Sequence, residues 1–208
     1  AETMANSSET EKVIPIFTIG YGSRSVEALI AVLQSQEIAF LIDIRSAPYS
    51  RYKPEFSMRP LEAVLTRNGI RYVFMGDAIG GVPQHPDCFT DGKVDYDKLK
   101  RTDAFQRGID RVRAAFDQNQ KVVLMCSEGK PENCHRSKLI GETLAELGTP
   151  LLHIDESDEL QSQTAVIHRL TGGQLGLFGK PTFTSRKRYQ DDDPDAEPTV
   201  PGQLSPFD

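Results

Sequence analysis

The sequence predicts an α/β fold: a single domain on a mainly parallel sheet of about five strands, with helices on both faces. Three observations carry this reading. Short apolar runs alternate with stretches of helical period between residues 14 and 170. The runs are apolar almost throughout, as parallel strands covered on both faces are. Strands and helices in alternation, joined by right-handed crossovers, then pack into a parallel sheet between two helical layers.

The elements follow in order. Residues 14–19 read as a first strand, stopped by Gly20-Tyr21-Gly22. Ser25 is placed to cap a helix over 26–34, where Val26, Leu29, Ile30 and Leu33 share one face. A second strand spans 38–44. After a polar loop comes a short helix over 61–67, closed by Asn68-Gly69, and a third strand over 70–74. Residues 76–95 are rich in Gly and Pro and promise little regular structure; loops of this length in compact domains are functional or mobile. A helix over 97–117 carries Phe105, Ile109, Val112 and Phe116 on one stripe. Then come a strand over 121–125, a helix over 135–147 ending at Gly148, a strand over 150–154 and a last helix from 157 to 170. No internal repeat is visible.

The two ends differ from the middle. Residues 1–12 lack apolar periodicity and residues 184–208 form an acidic, Pro-rich stretch; both are expected to be disordered around a domain of 13–170, with a separate short peptide at 171–183. The net charge of -6 argues against a protein that coats nucleic acid. Much of the acidity lies in the tail, at Asp191-Asp192-Asp193 and Asp195, so a local basic face is still open to the domain. No apolar stretch is long enough to span a bilayer and no signal-peptide core opens the chain. Three cysteines, Cys88, Cys126 and Cys134, leave one unpaired in any disulfide scheme. The expectation is a cytoplasmic protein with no membrane association.

Chemistry concentrates at the ends of strands, where ligands of open α/β sheets bind. The first strand ends in Gly20-Tyr21-Gly22, a turn that would let backbone amides approach an anion or simply turn the chain. The second ends in Asp43-Ile44-Arg45-Ser46, followed by Tyr49, Arg51, Tyr52 and Lys53. An Asp43–Arg45 ion pair is one reading. The other is an anion site of Gly20, Arg45, Ser46, Arg51 and Lys53 with Tyr49 and Tyr52 as stacking faces, suited to a nucleotide or single-stranded nucleic acid.

The run Lys121 to Arg136 ends a strand at Cys126 and starts a helix at Cys134-His135-Arg136. Three roles compete there. Cys126 could be a nucleophile, its thiolate favoured by the helix start and by His135 or Arg136. Cys126, Cys134 and His135 could ligate a metal, although the paired spacing of structural zinc sites is missing. Both cysteines could pack as small apolar groups. The neighbouring Glu128, His135 and Arg136 favour the first, with Asp43, Glu128 or His135 handling protons and Arg136 adding to the anion site. His153, ending the last strand, is a further general acid or base, or a strand-end histidine with its partners satisfied. Cys88 lies beside His85 and Asp87 as a metal candidate or an incidental loop cysteine.

Taken together, Thr18-Ile19-Gly20, Asp43-Ile44-Arg45-Ser46, Pro48, Ser50, Pro54, Phe56, Tyr72, Gly80-Gly81, Leu124-Met125-Cys126, Glu128, Pro131, Cys134-His135-Arg136 and His153-Ile154 resemble domain-of-unknown-function family 488 over about residues 14–156. The resemblance implies a site at the strand ends without naming a reaction. A looser similarity is to rhodanese-like and cysteine-phosphatase domains, which also set a cysteine after a buried strand and before a helix. Here the arginine follows Cys126 by ten residues, which departs from the short spacing of those phosphatases. Sulfur transfer is an analogy at the level of fold.

Beyond the last helix, Gln174, Leu175, Leu177 and Phe178 resemble the Gln-Leu-x-Leu-Phe peptide by which bacterial repair and replication proteins bind the DNA sliding clamp. The alternative is an apolar clip that packs on the domain. The leading expectation is an enzyme acting on a nucleotide or nucleic-acid lesion in DNA repair through a Cys/Arg/Asp pocket. A rhodanese-like or metal-dependent sulfur-handling enzyme, and a non-catalytic nucleotide-binding adaptor for the clamp, are the alternatives. No cofactor is strongly implied.

Overall fold

The computed structural model describes residues 13–174 and 182–189. In chain order the elements are β1 (Ile16–Gly20), α1 (Val26–Ser35), β2 (Phe40–Asp43), α2 (Met58–Arg67), β3 (Arg71–Phe74), α3 (Gly76–Ile79), β4 (Phe89–Thr90), β5 (Lys93–Asp95), α4 (Tyr96–Lys100), α5 (Asp103–Asp117) and β6 (Val122–Cys126). A π-helical turn (Arg136–Gly141) then runs into α6 (Glu142–Glu146), followed by β7 (Leu151–Ile154), β8 (Leu160–Ser162), α7 (Gln163–Thr171) and β9 (Thr184–Arg188). The fold is α/β, with a six-stranded, mainly parallel sheet in the order β3-β2-β6-β1-β7-β8. Only β8 runs antiparallel, pairing Leu152 with Ser162.

Strand periodicity of two divides the core. On one face Phe17, Ile19, Leu41, Val123 and Met125 pack against Leu29 and Leu33 of α1 and Leu61 and Leu65 of α2. On the other, Ile16, Ile42, Ile44, Val122, Leu124 and Cys126 pack against Phe105, Ile109 and Val112 of α5 and Leu139, Ile140 and Leu144 of the last-but-one helix. β1 and β6 are neighbours, with Gly20 opposite Cys126, and their following helices leave to opposite faces. The strand ends there form a crevice of the kind that holds ligands in doubly wound sheets.

Several elements depart from the sequence expectation, each for a local reason. The stretch expected as one helix over 97–117 breaks at Thr102, whose Oγ1 accepts from Phe105 N–H and starts α5 afresh. The last helix begins at 163 rather than 157, because Asp155 Oδ1 accepts from the Ser157 and Glu159 amides and turns the chain into β8; Ser162 is the true cap. Residues 76–95 contain α3 and the β4–β5 hairpin. The unstructured tail expected from 184 departs at its start, since β9 pairs antiparallel with β5 in a second sheet of order β4-β5-β9. Gln174 is exposed after α7, while Leu175, Leu177 and Phe178 lie outside the described residues. Among the described residues no helix is long and apolar enough to cross a membrane.

Candidate functional site

The loop after β6 folds back on itself so that the two cysteines eight residues apart meet, Sγ to Sγ at 3.0 Å. Both are buried, Cys126 3% and Cys134 6% exposed, and both are free thiols. Their environments differ. Burial first, then the hydrogen bond with Cys134, pushes the Cys126 thiol well up. Burial acts upward on Cys134 too, but the hydrogen bond from Cys126, the Arg136 charge and the Arg136 backbone N–H at 3.5 Å outweigh it, and its pKa is lowered. The surroundings therefore favour a thiolate on Cys134 over one on Cys126. Cys126 is the thiol that holds its proton, and its Sγ is also 3.5 Å from the Glu128 carbonyl oxygen.

Arg136 explains the loop's shape. It is fully buried, and its Nη1 donates to Thr18 Oγ1 at 3.0 Å and the Ile154 carbonyl at 3.2 Å. Its Nη2 donates to the carbonyls of Glu128 at 3.3 Å and Gly129 at 2.7 Å. The guanidinium pins the loop to β1 and β7, while its buried Nε–H has no hydrogen-bond partner.

Gly20 and Gly22 serve the same packing. A Cβ at Gly20 would overlap the Glu128 carbonyl, and Gly22 takes φ +49 beside Gly129. The Tyr21 and Gly22 amides donate to the Cys126 and Ser127 carbonyls at 3.0 Å, so they extend the β1–β6 ladder and do not cradle a ligand. Gly20→Ala is expected to destabilise the fold by about 1–3 kcal/mol or more, as backbone has no room to yield. A thermal melt of the variant matching that of the parent chain would remove this close approach.

From Arg136 a polar chain runs into the core. Thr18 Oγ1 meets His153 Nδ1 at 2.6 Å, His153 Nε2 meets Gln163 Oε1 at 2.6 Å, and Gln163 Nε2 donates to the Ser137 carbonyl at 3.0 Å and to Glu142 Oε1 at 2.7 Å. His153 is fully enclosed and has both ring nitrogens engaged, so it is a structural link and not a base facing the crevice. Burial lowers its pKa from 6.5 to about 4. A depressed folded-state value means stability that is complete above pH 6.5 and is lost as pH falls toward 4. The difference corresponds to about 3 kcal/mol. Denaturant curves between pH 7 and pH 4 should show this loss, and His153→Asn should flatten it; equal slopes in both chains would refute the assignment.

Asp43 and Arg45 form a buried bidentate pair, Nε–Oδ1 2.9 Å and Nη2–Oδ2 2.6 Å, with the Tyr72 hydroxyl donating to Oδ2 at 2.7 Å. The guanidinium lies 5.5 Å over the Tyr21 ring, which stacks on Phe56. This group belongs to the face packed by α1 and α2, whereas the thiols belong to the opposite face. Asp43 and Cys126 thus point to opposite faces of the sheet, while His135 of the thiol loop meets the backbone of Ile44 between Asp43 and Arg45. Arg45 Nη1 is buried and has no hydrogen-bond partner. Tyr49, Arg51 and Tyr52 stand exposed on the following loop, and Lys53 Nζ donates to the Arg24 carbonyl. Ser46 Oγ accepts from Val82 N–H at 2.9 Å, holding the loop against Gly80.

His135 packs against Gly81, its Nδ1 is 3.5 Å from Cys134 Sγ, and burial lowers its pKa, so it is neutral near pH 7. Glu128 pairs with Arg186 of β9 at 3.3 Å across the loop. Among the described residues no group of three or more His, Cys, Asp or Glu is arranged to hold a metal ion. Cys88 is buried, with its N–H donating to the His85 carbonyl at 3.1 Å, whereas the His85 and Asp87 side chains are exposed and 3.4 Å apart. Sequence reasoning passed over Lys138, Tyr96 and Tyr189, which act electrostatically on Cys134 or feel its charge. Lys138 had a signal, lying two residues beyond Arg136; Tyr189 had none, because only the pairing of β9 brings it in.

The model of a protein family described as "Domain of unknown function DUF488" matches residues 25–142. No curated protein and no solved structure matches the chain.

Proposed function

The chain belongs to the DUF488 family, and from that premise we propose that it is a sulfur-handling enzyme whose reacting atom is Cys134 Sγ. One observation carries the reading: two thiols at 3.0 Å, of which one is depressed in pKa beside a buried guanidinium. The thiolate attacks the outer sulfur of a donor such as thiosulfate. A sulfur–sulfur bond forms to Cys134, the donor's own sulfur–sulfur bond breaks, and sulfite leaves with the electron pair. Cys126 S–H supports the charged sulfur throughout. Phosphoryl chemistry fits less well, since both Nη atoms of Arg136 are committed to protein acceptors and only its buried Nε–H is unpartnered.

The test is transfer of sulfur from thiosulfate to cyanide, with mass mapping of the persulfide. Modification of Cys134 supports the reading; an unmodified Cys134 with excess donor overturns it.

A second reading, action on a nucleotide or a DNA lesion, rests on the buried, unpartnered Nη1 of Arg45 beside the Tyr21–Phe56 stack and the exposed Tyr49, Arg51 and Tyr52. Delivery by the sliding clamp would use Gln174, Leu175, Leu177 and Phe178, and an adaptor without catalysis would use the same peptide. Single-stranded oligonucleotide titration of the parent chain and Arg45→Met tests the first point. Clamp binding with and without residues 174–178 tests the second. Equal binding in each comparison removes this reading.

A further inference from the structure

We propose that Cys126 is the resolving thiol of this site, discharging a persulfide on Cys134 as sulfide and closing a Cys126–Cys134 disulfide. The inference rests on the sulfur-handling reading and adds a second half-reaction and a co-substrate class to it.

The geometry is specific to these two residues. Their sulfurs are 3.0 Å apart, and a disulfide requires about 2.0 Å, so closure needs a movement of only about 1 Å. The hydrogen bond of Cys126 to a thiol is with Cys134; the third cysteine, Cys88, lies at the start of the β4–β5 hairpin segment. The loop between the pair is held in its folded-back form by Arg136 on the Glu128 and Gly129 carbonyls and by Ser137 Oγ donating to the Pro131 carbonyl at 2.6 Å. The thiols are thus presented to each other in the resting fold, and no hinge has to close first.

The step balances. Cys134–S–S⁻ and Cys126–SH give Cys134–S–S–Cys126 and HS⁻. The sulfur–sulfur bond of the persulfide breaks as the protein disulfide forms, the Cys126 proton leaves with the sulfide, and the two cysteine sulfurs supply the two electrons that reduce the outer sulfur. Each further cycle then needs an external dithiol to reopen the disulfide.

The experiment is a single-turnover reaction of the reduced full chain with excess thiosulfate and no reductant, followed by alkylation and peptide mapping. The expected result is a burst of one sulfide per chain, a peptide linked through Cys126 and Cys134, an alkylated Cys88, and resumed sulfide release on addition of dithiothreitol. Cys126→Ser, which keeps a hydroxyl donor beside Cys134 but no resolving sulfur, should hold the persulfide on Cys134, whatever its rate of formation, and release no sulfide. A stable Cys134 persulfide in the parent chain, without the linked peptide, overturns the resolving role and leaves the sulfur-transfer reading intact. If neither chain carries a persulfide or releases sulfide, the sulfur-transfer reading falls and this inference falls with it.

Discussion

Replacing Arg136 with methionine is expected to destabilise the protein by about 3–5 kcal/mol, the cost of removing one partner from a buried charged network. The side chain is fully buried, and its loss leaves the Ile154, Glu128 and Gly129 carbonyls without their donor. Each buried acceptor left unmet costs about 1–3 kcal/mol, offset in part because a buried cation is also removed. For a chain of this size the melting temperature should fall by roughly 10 °C. Arg136→Lys should recover little of this, since one ammonium cannot span acceptors on three segments. Because the guanidinium also lowers the Cys134 pKa, the pH at which iodoacetamide reacts with Cys134 should rise in both variants. A methionine variant within about 1 kcal/mol of the parent would show that the loop holds its shape by other means.

Cys134→Ser is expected to lower sulfur transfer by about 10³-fold or more, because the reacting thiolate is gone and the serine hydroxyl does not ionise near neutral pH. Cys126→Ser should leave persulfide formation on Cys134 in place. That asymmetry is the decisive comparison. At the sequence level the two cysteines invite the opposite assignment, with Cys126 at the strand end as nucleophile. If Cys126→Ser abolishes the first sulfur transfer and Cys134→Ser preserves it, the electrostatic reading of the pair is wrong.

The sequence pattern and the folded surroundings point to different thiols. Cys126 has the strand-end position that such sites favour, and that position is visible in a one-dimensional pattern. The ionisation of either thiol depends on burial, on the contact between the two sulfurs and on Arg136, brought together by a fold-back that leaves no periodic trace. The parallel strands were legible because each is apolar on both faces, and α1 because Ser25 caps a clean helical stripe. β9 was not legible. Its residues Thr184–Arg188 are polar and charged, only Ser185 is buried, and its partner β5 lies about ninety residues earlier in the chain. Likewise the Asp43–Arg45 pair was readable as an ion pair, but the face on which it stands depends on β2 pairing with β3 and β6.

The π turn at Arg136–Gly141 has a consequence for descent with modification. Such a turn holds one residue more than an α-helix would across the same rise. All six of its residues are buried, so the segment has no outward side on which to absorb a change of length. Deleting a single residue there would restore ordinary winding and remove the wide turn that sets Arg136 against Thr18 of β1. Relatives should therefore keep both Arg136 and the length of this stretch, while its apolar members exchange among themselves.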